Sequence, residues 1–116
     1  MYSKELLKGT LKPIILQLLS DQGRMYGYEL VQKVKERSEG KILIKEGSLY
    51  PILHSLRAEG ILDTEAQQVG GRTRKYYLIS QKGKAQAEAA VAELRDFMET
   101  LQQVIHPKPD PHHASS

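Results

Sequence analysis

No cysteine occurs among the 116 residues, so disulfides and thiolate metal sites are excluded and the interior must be held by aliphatic packing. No apolar run reaches membrane-spanning length, because charges interrupt every hydrophobic stretch. The opening Met1-Tyr2-Ser3-Lys4-Glu5 leads no such run either, so the chain reads as neither secreted nor membrane-embedded, with a cytoplasmic location expected. The four histidines, His54, His106, His112 and His113, have no carboxylate or thiol arranged near them as a nucleophile pair or a zinc set. No glycine loop has P-loop spacing. No catalytic residue, no metal and no cofactor are therefore expected. What remains is ordinary for a globular protein: 40% hydrophobic and 27% charged residues, enough for one compact domain plus an appendage.

The net charge of +3 is mild, but its distribution is uneven. Residues 41–84 hold eight Lys/Arg against four Asp/Glu, whereas residues 85–105 hold one Arg against four acids. A polyanion is drawn to the middle of the chain and repelled by the segment that follows.

Periodicity supplies the elements. Leu7, Leu11, Ile14, Ile15, Leu18 and Leu19 recur at threes and fours, predicting a helix over about 10–20 with Thr10 as N-cap and Pro13 tolerated in the first turn. A turn at Asp21-Gln22-Gly23-Arg24 separates it from a short second helix carrying Leu30, Val31 and Val34. Residues 41–45, apolar and β-branched between glycines, read as a short strand. Leu49, Ile52, Leu53 and Leu56 describe a third helix over 46–60, which must start close before Pro51. Residues 61–69 and 72–79 form a β-hairpin around Gly70-Gly71, whose polar flanks suggest a tip longer than a two-residue turn. Ser80 can cap a long helix over 81–105. The alternating prolines of 107–116 predict a disordered tail, in which His112-His113 is incidental. The fold class is mainly α with a small β-hairpin: a winged helix-turn-helix over 1–80, a C-terminal dimerisation helix over 81–106 and the tail.

In that architecture the third helix enters the major groove and the hairpin lies along the backbone. The groove face needs short polar or flat side chains, supplied by Ser48, Tyr50, Pro51, His54 and Ser55, with Lys45 and Arg57 adding charge at the two ends. The wing needs cations near phosphates, supplied by Arg72, Arg74 and Lys75 beside the glycine tip. Strand alternation puts Arg72, Arg74 and Tyr76 on one face and Thr73, Lys75 and Tyr77 on the other, so at least one tyrosine is expected to be buried. Two plainer readings stand beside this one: wing cations that only deter edge aggregation, and a winged helix that binds proteins rather than DNA.

The same residues resemble a known family. Tyr26-Gly27-Tyr28-Glu29-Leu30, then Gly47-Ser48-Leu49-Tyr50-Pro51-Ile52-Leu53 with Leu56 and Glu59-Gly60-Ile61-Leu62, then Gly71-Arg72-Thr73-Arg74-Lys75-Tyr76-Tyr77-Leu78 with Gly83 look like the successive motifs of the PadR transcriptional regulators, over residues 6–84. The resemblance implies a homodimeric winged helix-turn-helix repressor of the short branch, acting on a palindromic operator in double-stranded DNA. It places Ser48, Tyr50 and Pro51 on the recognition helix and Arg72, Arg74 and Lys75 on the wing. Some short members bind flat aromatic compounds between subunits with the help of tryptophan, and this chain has none.

Independently of that resemblance, Ala87, Val91, Leu94, Met98, Leu101 and Ile105 are spaced as a heptad seam, widened by Ala90, Phe97 and Val104. A helix over 81–105 spans roughly 37 Å, more than so small a domain covers alone. Part of the face is expected to meet a second copy, with Leu6, Leu7 and Leu11 packing on the partner's long helix as well as on their own core; folding back onto the first helix is the competing use of the stripe. A small-molecule effector wedged between the long helices would change the distance between the two reading helices.

Overall fold

The computed structural model describes residues 2–109. A single turn, α1 (Lys4–Leu7), precedes α2 (Leu11–Gln22). Thr10 occupies the N-cap position of α2, but its hydroxyl turns back to donate to the Leu7 carbonyl (2.7 Å) and caps nothing. Pro13 sits in the first turn, where no helical amide is lost. Leu11, Ile15, Leu16, Leu18 and Leu19 are all buried, so α2 is apolar nearly all round and forms the centre of the molecule.

The expected turn at 21–24 is partly a strand. α2 runs on to Gln22, Gly23 takes a positive φ of 89°, and β1 (Arg24–Tyr26) follows. β1 pairs with β3 (Arg72–Ile79), which pairs on its other edge with β2 (Leu62–Val69), giving an antiparallel sheet of order β1-β3-β2. The hairpin tip is tighter than expected: Val69 pairs with Arg72, so only Gly70 and Gly71 make the turn, both at positive φ. Two adjacent positive-φ residues match the right-handed strand twist, and glycine takes that conformation without a steric penalty.

α3 (Gly27–Arg37) and α4 (Glu46–Ala58) complete the helix-turn-helix. The connection over residues 41–45 is extended but unpaired, correcting the expected strand. Ile44 is buried, Ile42 packs against the core and Leu43 points out, so the alternation is real. No ladder forms: the segment is not part of the three-stranded sheet, whose central strand β3 is already paired on both sides.

α4 ends at Ala58, two residues short of the expected bound, with Gly60 (φ 80°) turning the chain just beyond its C-cap, and α5 (Lys84–Ile105) starts three residues later than expected. Ser80 does not cap it: its buried hydroxyl donates to the Gly60 carbonyl (2.6 Å) and accepts from the Gly83 amide (2.9 Å), organising a turn over residues 81–83. A Cβ on Gly83 would land on the Ile61 carbonyl, so the end of α4, both ends of the hairpin and the start of α5 meet here without spare room.

α2 packs along the first half of α5, where Ala87 is buried and Ala90 and Val91 are half-buried. The second half leaves the body. The radius of gyration is 17.7 Å, against about 13 Å for a compact chain of this size. Among the described residues no helix is long and apolar enough to cross a membrane. Residues 107–109 carry no regular structure, and the rest of the expected tail, His112-His113 included, lies outside the described residues.

Candidate nucleic-acid interface

Burial separates the two sides of α4. Leu49, Leu53 and Leu56 are fully enclosed, so Gly47, Pro51, His54, Ser55 and Ala58 on the opposite side are exposed, with Ser48 half-buried beside them. That face is smooth at its start and carries hydroxyl and imidazole groups further on, which suits close approach to base edges. Lys45, exposed and extended at the N-cap position, begins it.

Tyr50 departs from this face, and Arg57 stands at its far end. Tyr50 is half-buried and packs against the core, its ring over the start of α3. Gly27 makes this possible, since a Cβ there would land on the Tyr50 hydroxyl. The ring stands 6.2 Å from that of His54, so Tyr50 flanks the exposed face instead of projecting from it. Arg57 is exposed but sits in the last turn of α4, lining a cleft with Asp63, Thr64 and Glu65 of β2, away from the helix start.

The wing divides its cations between two faces. Tyr77 is the buried tyrosine of the pair, and burial pushes its hydroxyl above the usual phenol range, with Tyr50 adding to the effect and Arg57 opposing it. Lys75, on the same face, reaches over the Tyr77 ring (5.8 Å to the centroid), so its ammonium lies on the α4 side of the hairpin. Arg72 and Arg74 point to the outer face. There Arg74 lies over the Tyr26 ring (4.2 Å) and Arg24 over the Tyr76 ring (4.7 Å), while Tyr26 and Tyr76 meet edge to face at 5.5 Å. The Arg74 guanidinium is held above the usual arginine range, chiefly by the Tyr76 side chain, with Tyr26 and Glu29 contributing.

Arg24, Tyr26 and Tyr28 escape a reading of the sequence alone. β1 is three residues long, too short for the alternation of Arg24 and Tyr26 around buried Met25 to declare itself. The ion pair of Arg24 with Glu65 (2.8 Å) joins positions 41 residues apart.

Of the residues expected at a subunit interface, Leu11 is 9% exposed and packs in its own core, as one half of the expectation had it, while Ala87 of the expected seam is 4% exposed and is used within the protomer. Val91 and Leu94 are half-buried. Leu6, Phe97, Met98, Leu101 and Ile105 are exposed, together with Val104.

Comparison with known proteins gives the same picture. The model of the transcriptional regulator PadR-like family matches residues 15–89, from α2 into α5. A transcriptional regulator of Mycobacterium tuberculosis is 37% identical over 67 residues, covering 58% of this chain and 59% of its own. An uncharacterised protein of Lysinibacillus sphaericus is 32% identical over 102 residues, 87% of this chain and 93% of its own. Among solved structures, a PadR-like transcriptional regulator of Bacillus cereus superposes with a TM-score of 0.74 at 29% identity, over 90% of this chain and 100% of that one. A family match running from the central helix through the helix-turn-helix and wing, together with a shared fold at that level of identity, means that this chain belongs to the PadR-like family of transcriptional regulators.

Proposed function

We propose that the chain is a homodimeric repressor that binds a palindromic operator in double-stranded DNA. Residues 1–80 act as the DNA-binding unit, with α4 in the major groove and the wing on the backbone, and residues 81–106 as the dimerisation element. The observation that carries this reading is the state of α5. Its second half holds out an apolar stripe of Phe97, Met98, Leu101, Val104 and Ile105. An exposed stripe of that kind calls for a second copy, and Leu6 on α1, 67% exposed, is apolar surface of the same sort. Two-fold pairing through α5 sets two α4 helices about one DNA turn, roughly 34 Å, or a multiple of it apart.

The DNA contacts follow from the exposed side chains. Lys45, Ser48, Pro51, His54 and Ser55 face the groove, with Tyr50 at its flank; Arg72, Arg74 and Lys75 take phosphates, and Arg57 is a peripheral charge. Release by a small-molecule effector fits an apolar groove of about 360 Å³ between α2, α3 and α5, whose lining includes Ile14, Leu18, Val34, Leu94 and Met98. Val91, Leu94 and Met98 belong both to the groove and to the seam, so a ligand there acts on the dimer spacing if it binds the two spacings unequally.

Selection of retained sequences from pooled random duplex DNA, at stated salt, tests the reading. An enriched palindrome with half-sites about ten base pairs apart, or a multiple of that, is the expected result. Retention without enrichment, lost at moderate salt, would overturn it.

A further inference from the structure

Two of the arginines on the outer face of the sheet, Arg24 and Arg74, lie on tyrosine rings, and their surroundings differ in one respect. The Arg24 guanidinium rests on the Tyr76 ring and donates to the Glu65 carboxylate (2.8 Å) and the Gln67 side-chain oxygen (2.8 Å), so its charge is used within the protein. The Arg74 guanidinium rests on the Tyr26 ring in the same way, yet among the described residues no carboxylate stands at ion-pair distance from it. The two stacks are one structure, because the Tyr26 and Tyr76 rings meet edge to face and are register partners across β1 and β3. Tyr28 adds a third ring, stacked 6.5 Å from Tyr26.

Tyr26 is itself held firmly. Its amide donates to the Glu29 carboxylate (3.1 Å) at the start of α3, and its backbone pairs in the sheet. A guanidinium laid flat on a fixed ring keeps its N–H edge free for a planar acceptor while losing the freedom that a long side chain otherwise surrenders on binding. At Arg24 a carboxylate completes the stack; at Arg74 the Tyr76 side chain is a polar neighbour, but among the described residues no ion pair uses up the charge.

We propose that Tyr26 is a positioning residue of the DNA interface: its ring presets the Arg74 guanidinium for a backbone phosphate, with the neutralised Arg24–Tyr76 stack as a buttress behind it. The proposal rests on the reading of the wing as a phosphate-binding surface. It assigns a role in binding DNA to a residue that belongs neither to the recognition helix nor to the wing.

The test is the affinity of the full-length protein for a labelled duplex of random sequence, measured against salt concentration. Arg74→Ala weakens binding and flattens the salt dependence by about one counterion for each chain engaged. Tyr26→Leu lowers affinity about fivefold and moves the salt dependence toward that of Arg74→Ala, Tyr26→Phe retains wild-type behaviour, and Tyr26→Leu adds nothing in an Arg74→Ala background. Arg74→Lys leaves the start of α3 untouched and keeps the charge but not the flat face, so affinity falls about threefold. Wild-type affinity in Tyr26→Leu or Arg74→Lys, additive losses in the double variant, or a loss in Tyr26→Phe equal to that in Tyr26→Leu would each overturn the positioning role while leaving the wing as a DNA contact. An Arg74→Ala variant with unchanged affinity and salt dependence would remove the phosphate-binding reading itself, and the proposal with it.

Discussion

The winged unit and the second half of α5 use the same aliphatic side chains and leave them in opposite states. Leu16, Leu30, Leu49, Leu53 and Leu56 are at most 1% exposed, whereas Met98, Leu101 and Ile105 are 44% to 62% exposed. Residue type does not separate the two groups; supply of neighbours does. α2 is surrounded by α3, α4, α5 and the sheet, but no other element of the described chain follows α5 to its end. The first region therefore buries its apolar surface within one chain, whereas on the proposed dimer reading the second would be covered only at concentrations where chains meet.

The sharpest way to break this comparison is to charge the exposed stripe. Met98→Glu brings an unpaired carboxylate from each chain into the seam, and the dimer dissociation constant is expected to rise at least about a thousandfold. Sedimentation should then show monomers whose winged unit still melts cooperatively; a surviving dimer would place the seam elsewhere. Next in size is Leu53→Ala, which opens a cavity in the enclosed region and is expected to cost about 3 kcal/mol in denaturant unfolding while leaving association unchanged in the folded fraction. Gly27→Ala should cost about 2 kcal/mol, because its methyl group displaces the Tyr50 ring and forces α3 and α4 apart. Its effect on DNA affinity should exceed its effect on dimerisation, and equal losses would mean that the two regions are not separable.

The smallest effect concerns Asp21, where α2 meets α3 beside α5. The hydrogen bond from Arg37 (3.0 Å) is the main reason its carboxyl lies below the usual range, with Gln17 and Arg95 also favouring the charged form against a desolvation penalty. A depressed value means that the contribution to stability is present above the ordinary carboxylate range, near pH 4, and fades as pH falls through the folded-state value. Asp21→Asn should thus flatten the acid limb of the stability profile slightly and leave neutral-pH association untouched. An unchanged acid limb in thermal melts across pH would show that the pair contributes nothing.

Long periodic segments were legible in the sequence. The stripes of α2, α3, α4 and α5 and the alternation of the hairpin each repeat often enough to reveal their period. The misses have local causes that only the assembled fold displays. Residues 41–45 have strand composition and alternate in burial, but they join α3 to α4 without pairing to the sheet. β1 has strand pairing, but three residues show no pattern. Ser80 has capping chemistry, but its oxygen accepts from the Gly83 amide and closes a turn ahead of α5, while its hydrogen goes to the Gly60 carbonyl. The candidate site divides in the same way. Its exposed α4 residues follow from the helical period, whereas the sideways seat of Tyr50 depends on a glycine in another helix, and the pairing of Arg24 with Glu65 on the register of a sheet.

The joint at Ser80 has a mechanical consequence. Because Gly60, Ser80 and Gly83 are tied together with no room for a side chain at Gly83, α5 leaves the winged unit as a stiff arm rather than a tether. Over a helix of roughly 33 Å, a tilt of about 5° carries the far end some 3 Å, several times the tolerance of a hydrogen bond. In the proposed dimer each chain would then be one leg of a pair of callipers, and a disturbance at the tip of α5 would reach α4 as displacement.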